Sequence, residues 1–131
     1  MSKYVFLRIN DKFRDFFKGN KEAFLELYYR RNESVFYKEQ FRLFLEKNNK
    51  KEIKEFLIKS LGIRDDVSLL NDKIIIENKY DNNKDVLEAY DNYLLIDSNS
   101  KNSPFKRHLL EYDSNFIVID INNAKIETCH L

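Results

Sequence analysis

DKFRDFFKGNKEAFLELYYRR, residues 11–31, sets Phe13, Phe16, Phe17, Phe24, Tyr28 and Tyr29 within two short helical segments. That is more rings than a single buried stripe requires. A helix advances about 100° per residue, so Phe16, Phe13 and Phe17 fan across an arc of roughly 100°, with Phe13 in the middle. Such an arc lets one edge pack inward while the other stays available to a partner. The competing reading places all three rings in the core. Gly19 separates the segments, and its freedom to adopt a left-handed conformation suits a helix end. Asn10 or Asp11 is placed to cap the first helix and Asn20 the second. Phe24, Leu25, Leu27 and Tyr28 make a dense apolar face, read as core, where each buried side chain contributes about 1.5–3 kcal/mol.

Outward from this stretch, residues 4–9, YVFLRI, read as a strand with Tyr4 and Phe6 on one face and Val5 and Leu7 on the other. Apolar side chains on both faces predict a strand covered on two sides. Asn32 or Ser34 starts a third helix carrying Tyr37, Phe41, Phe44 and Leu45, which weakens at Asn48-Asn49. Residues 50–61 form a fourth, with Ile53, Phe56, Leu57 and Leu61 inward, ending at Gly62. The period then changes. Residues 67–70 and 73–78 are two strands around an Asn71-Asp72 turn, because Asn tolerates positive φ. DNNKD, residues 81–85, reads as a loop. Residues 86–90 read as a strand or a helical turn, and residues 93–97 as a strand.

Ser103 caps a helix whose first residue is Pro104, where a missing amide costs nothing. Phe105, Leu109 and Tyr112 face inward from it, and Lys106 and Arg107 face water. FIVIDI, residues 116–121, is a strand, and Asn122-Asn123 turns into residues 125–128 to complete a hairpin. The predicted fold is one α+β domain: an N-terminal strand, three to four helices, and a mostly antiparallel sheet with one further helix before the C-terminal β-hairpin.

The chain has 131 residues, 43% of them hydrophobic and 34% charged, with a formal net charge of +1. These values fit a soluble globular domain with a real core. They disfavour a nucleic-acid binder that relies on net charge. No apolar run approaches the roughly 20 residues of a membrane helix, and no signal peptide is evident, which places the protein in the cytoplasm. Two glycines and one proline leave no phosphate-cradling loop or nucleophile elbow. Cys129 and His130 stand side by side near the end, where a catalytic thiol would lack support, and His108 reads as a helix-surface residue. Asp65, Asp66 and Asp120 are the first candidates for a metal or acid–base site. Asp65-Asp66 reads more simply as a loop, and Asp120 as outward-facing in its strand. The chain is thus read as non-enzymatic, with no catalytic residue, metal site or cofactor.

Aromatic rings supply binding energy without chemistry. A partly exposed pair at i,i+4, Phe13 and Phe17, makes a rigid hot spot worth about 2 kcal/mol or more, with Lys12, Arg14, Asp15 and Lys18 as its rim. A second reading is a small nucleic-acid-associated protein of a phage or mobile element, using Lys47, Lys50, Lys51 and Lys54. Glu46, Glu52 and Glu55 interrupt that basic run.

Several of these residues carry a resemblance. Tyr4-Val5-Phe6-Leu7, then Phe13, Phe17, Gly19, the run Phe24-Leu25-Glu26-Leu27-Tyr28, and Lys38-Glu39-Gln40-Phe41 resemble the sporulation inhibitor of replication (SirA) family. The ending, Phe116-Ile117-Val118-Ile119-Asp120-Ile121 followed by a polar turn and Lys125, is similar too. The resemblance implies a cytoplasmic protein that binds the N-terminal domain of the replication initiator DnaA and blocks initiation as a cell commits to sporulation. It implies that Phe13 matches an exposed phenylalanine of the partner-binding helix, that Phe17 matches a tyrosine, and that Lys47 or Asn48 stands where the family has a glutamine. With Arg14 and Lys18 beside the rings, these are the expected partner-binding residues.

Overall fold

The first strand, β1 (Ser2–Leu7), sends consecutive side chains to opposite faces, and both faces are apolar. It therefore has to lie where helices cover the sheet twice. In the computed structural model, which describes residues 2–62, 64–78, 80–100 and 102–128, it does so. Phe6 joins one buried cluster with Ile53, Leu57, Phe105 and Leu109; Val5 and Leu7 join the other with Phe17, Phe24, Tyr28 and Phe41.

The chain order is β1, a 3-10 turn (Asp11–Phe13), α1 (Arg14–Gly19), α2 (Lys21–Arg30), α3 (Val35–Leu43), α4 (Lys50–Leu61), β2 (Val67–Leu70), β3 (Lys73–Asn78), β4 (Asn83–Ala89), β5 (Leu94–Ser98), α5 (Pro104–Tyr112), β6 (Ile117–Asp120) and β7 (Lys125–Thr128). The strands form one antiparallel sheet in the order β2-β3-β4-β5-β1-β6-β7. β1 lies between β5 and β6, with Phe6 opposite Leu94 on one side and Val118 on the other. Helices α4 and α5 cover one face, and α1 to α3 the other. This is the expected α+β class, with every strand pair antiparallel.

Several local rules act as the sequence suggests. The Asn10 side chain accepts the Lys12 amide, Ser34 accepts that of Tyr37, and Asn49 accepts that of Glu52, so three helical starts are capped. Asn71 and Asp72 have φ of 48° and 67° and join β2 to β3 in a tight turn. Where the first turn of α4 meets the end of α5, the Tyr112 hydroxyl donates to Glu52 across 2.7 Å. Burial and the carboxylate together push the Tyr112 pKa up to about 12.

Other expectations need correction. Gly19 does not take a left-handed conformation; Asn20 closes α1 instead, its amide donating to Phe17 and its side chain to the Phe16 carbonyl. Having turned back to α1, that side chain makes no cap bond to α2. Residues 83–85 belong to β4 rather than to a loop: they pair with residues 76–78 of β3, and the Asn99 side chain braces the start of the strand by accepting the Lys84 amide and donating to the Asn82 carbonyl. Ser103 makes no side-chain cap bond. Lys106 does not simply face water: it pairs with Glu127 at 2.6 Å and lies 4.9 Å above the Tyr4 ring. Asp120 is buried, its carboxylate accepting from the Asn123 amide and side chain to shape the β6–β7 turn. Cys129 and His130 lie outside the described residues.

Candidate docking surface

The N-terminal aromatic stretch is held against the end of α3 by a short clasp. Ile9 and Leu45 form an isolated antiparallel bridge. On either side of it, the Asn10 amide donates to the Phe44 carbonyl and the Glu46 amide to that of Arg8, both at 2.8 Å. The clasp fixes where α1 starts, and with it the direction of each ring.

Phe17 is then 1% exposed and packs edge-on against Phe24 at 5.1 Å. Phe16, one residue and about 100° away, is 52% exposed. It stacks on Phe44 at 5.6 Å with 10° between the planes. Half-buried Phe13 meets the same Phe44 ring edge-on at 4.8 Å. Phe44 in turn contacts Phe24 edge-on at 6.2 Å, so a run of rings leads from solvent into the core. The arc does divide as the helical spacing allows, but its open edge is Phe16. The expected accessible pair Phe13 and Phe17 is corrected on this point: Phe17 is sealed.

Beyond Phe44 the apolar ground continues along α3. Leu43 is 61% and Phe36 65% exposed, and at i,i+7 they share one outward stripe. Neither was singled out by the sequence reading, which stopped at the inward set Tyr37, Phe41, Phe44 and Leu45. The usable signal was a surplus: α3 holds more apolar residues than its inward stripe can use.

The polar residues are distributed less evenly. Arg14 pairs with Asp11 at 2.9 Å, while Lys18 is exposed. Lys47 is exposed, and its carbonyl accepts the Arg8 guanidinium at 2.9 Å. Asn48 is 8% exposed and works as a joint, its amide donating to Asp91 at 2.7 Å and its side chain to Tyr90. It is thus buried rather than presented, a second correction to the expected contact set. Of the lysines in the nucleic-acid reading, Lys50 pairs with Asp91 and Lys54 with Asp72. Those carboxylates weaken any phosphate-tracking face there.

No group of three His, Cys, Asp or Glu side chains among the described residues is arranged to hold a metal ion. Asp66 receives a two-pronged contact from Arg64, which holds its carboxyl below the ordinary range. No helix of the described residues is long and apolar enough to cross a membrane. What the α1–α3 surface offers is apolar contact area on a rigid support. No family model matches the chain, and no curated protein matches it either.

Proposed function

We propose that this protein is a non-enzymatic inhibitor of DNA replication initiation that binds the N-terminal domain of DnaA in the cytoplasm, as the SirA-like sequence pattern implies. The observation that carries the reading is the stack of exposed Phe16 on half-buried Phe44, with Phe13 edge-on to it and exposed Leu43 next in sequence, in segments that carry the resemblance. An exposed ring backed by the core binds with little loss of side-chain freedom, so its burial by a partner is returned as affinity. Lys12, Arg14, Asp15 and Lys18 form the polar rim.

Inhibition on this reading is by occupancy. A partner surface covered by these rings is closed to the other proteins that assemble at initiation. Because Phe17 is sealed, Phe16 takes the place of the second ring in the contact. Coupling to sporulation follows from the same resemblance. Titration calorimetry of the full chain against the purified DnaA N-terminal domain tests the binding directly. Heat with a one-to-one midpoint, lost in Phe16→Ala, is the expected result; no heat at tens of micromolar overturns the reading.

A further inference from the structure

On the opposite side of α3 from the Phe36–Leu43 stripe lies a cleft of about 390 Å³, within the range of about 300–1,000 Å³ typical of small-molecule sites. Lys38, Phe41 and Arg42 reach it from one stripe of α3, centred roughly 150° from Phe36 and Leu43, and Leu45 joins them from just beyond the helix. Arg31 enters from the end of α2, and Tyr28 and Tyr93 complete an aromatic lining. No carboxylate is among its lining residues.

The charge in this cleft is unbalanced in a chain whose total is only +1. Neither Arg31 nor Lys38 has an ion-pair partner among the described residues. Arg42 has only Glu39, at 3.9 Å, with both side chains largely in solvent. Arg31 is nonetheless fixed in place: its guanidinium donates to the Tyr28 carbonyl at 2.7 Å and lies 4.0 Å above the Tyr28 ring. A held guanidinium beside unpaired Lys38 and loosely paired Arg42 suits an oxyanion that accepts several charge-assisted hydrogen bonds. Half-buried Tyr93, itself stacked on Tyr90 at 4.6 Å, is the ring of the lining most open to a flat group, since Phe41 and Tyr28 are buried behind it. Asn32 and Asn92 add side-chain amides able to donate to and accept from the edge of such a group.

We infer that this cleft is a binding site for a small molecule of the nucleotide class, one that carries both phosphate and a planar ring. The site is separate from the docking surface and stands or falls without it. Phosphate meets Arg31, Lys38 and Arg42, and the ring lies against the aromatic lining.

The test is calorimetry of the full chain with ADP, adenosine and inorganic pyrophosphate at physiological salt. ADP is expected to bind more tightly than either fragment. Lys38→Glu with Arg42→Glu should weaken ADP about tenfold or more, since each removes a charge-assisted contact. Lys38→Gln with Arg42→Gln should show the same direction if the reversed charges disturb folding. Lys51→Glu with Lys59→Glu, an equal charge change on α4, should leave ADP binding unaltered. No ADP binding at about 1 mM overturns the inference. So does an equal loss in Lys51→Glu with Lys59→Glu, pyrophosphate binding as tightly as ADP, or binding of an acidic peptide in place of ADP.

Discussion

Phe16 lies against Phe44 with the two ring planes within 10° of each other, and Phe44 in turn rests edge-on against Phe24. The outer ring is therefore supported by the hydrophobic interior without belonging to it. Stacking on a supported ring favours one orientation of Phe16, which lowers the ordering cost a partner would meet.

Phe17 and Phe16 should separate stability from binding. Phe17→Ala empties a site that is 1% exposed and is expected to cost about 3–5 kcal/mol in urea unfolding. Phe16→Ala is expected to cost under about 1 kcal/mol while abolishing most of the heat of binding to the DnaA domain. Equal destabilisation by the two would place Phe16 inside the core and leave the docking surface without its central ring.

Phe36→Ser with Leu43→Ser measures how far that surface extends. Both side chains are mostly in solvent, so unfolding should shift by no more than about 0.5 kcal/mol per site. Affinity for the DnaA domain should fall about tenfold if the stripe is covered in the complex. Unchanged affinity would end the contact at Phe44.

Two tyrosines should make the protein less stable in alkali. Tyr90 is raised to about 12 chiefly by its hydrogen bond to Glu88, and Tyr112 to about 12 chiefly by burial, with Glu52 adding to it. In the unfolded chain both ionise near 10.0. Between those values the unfolded state has lost protons that the folded state keeps, so stability falls as pH rises. It is at full strength below about 10. Absorbance at an ultraviolet wavelength specific to tyrosinate should show these two groups titrating late, together with Tyr28, which burial also raises, and Tyr112→Phe should flatten the alkaline decline in unfolding free energy.

The β2–β3 turn offers a gain. Asp72 holds φ at 67°, a region that costs a side-chain-bearing residue and suits glycine. Asp72→Gly completes the favoured Asn-Gly pair and should stabilise by about 0.5 kcal/mol in urea unfolding. The lost contact to Lys54, with Asp72 94% exposed, subtracts little. A net loss would show that the ion pair outweighs the backbone strain.

Much of the architecture was legible because it depends on period alone. Residues 50–61 carry Ile53, Leu57 and Leu61 at helical spacing with Asn49 at the cap, and they form α4 with those bounds. Val5, Phe6 and Leu7 announce a doubly covered strand by being apolar on both faces. Residues 83–85 were hidden because Asn83, Lys84 and Asp85 carry no apolar strand signal; their strand is held by pairing with β3 and braced by the distant Asn99 side chain. The orientation of Phe13, Phe16 and Phe17 was hidden for a related reason. Their arc fixes relative angles, but which edge turns inward is set by the Ile9–Leu45 clasp and the 3-10 turn that precedes α1. Asn48 looked like a surface amide until the β4–β5 connection came to lie against it.

The placement of β1 has a further effect, during synthesis. Its neighbours are residues 94–98 and 117–120, so β1, made before the rest of this sheet, is among the last of its strands to find both partners. At typical elongation rates it waits roughly ten seconds with Val5, Phe6 and Leu7 unsheltered. The β2–β5 meander can pair meanwhile, since its strands are consecutive. A nascent chain arrested before residue 117 would expose a sticky sheet edge, which makes translational pausing in this gene a hazard for aggregation.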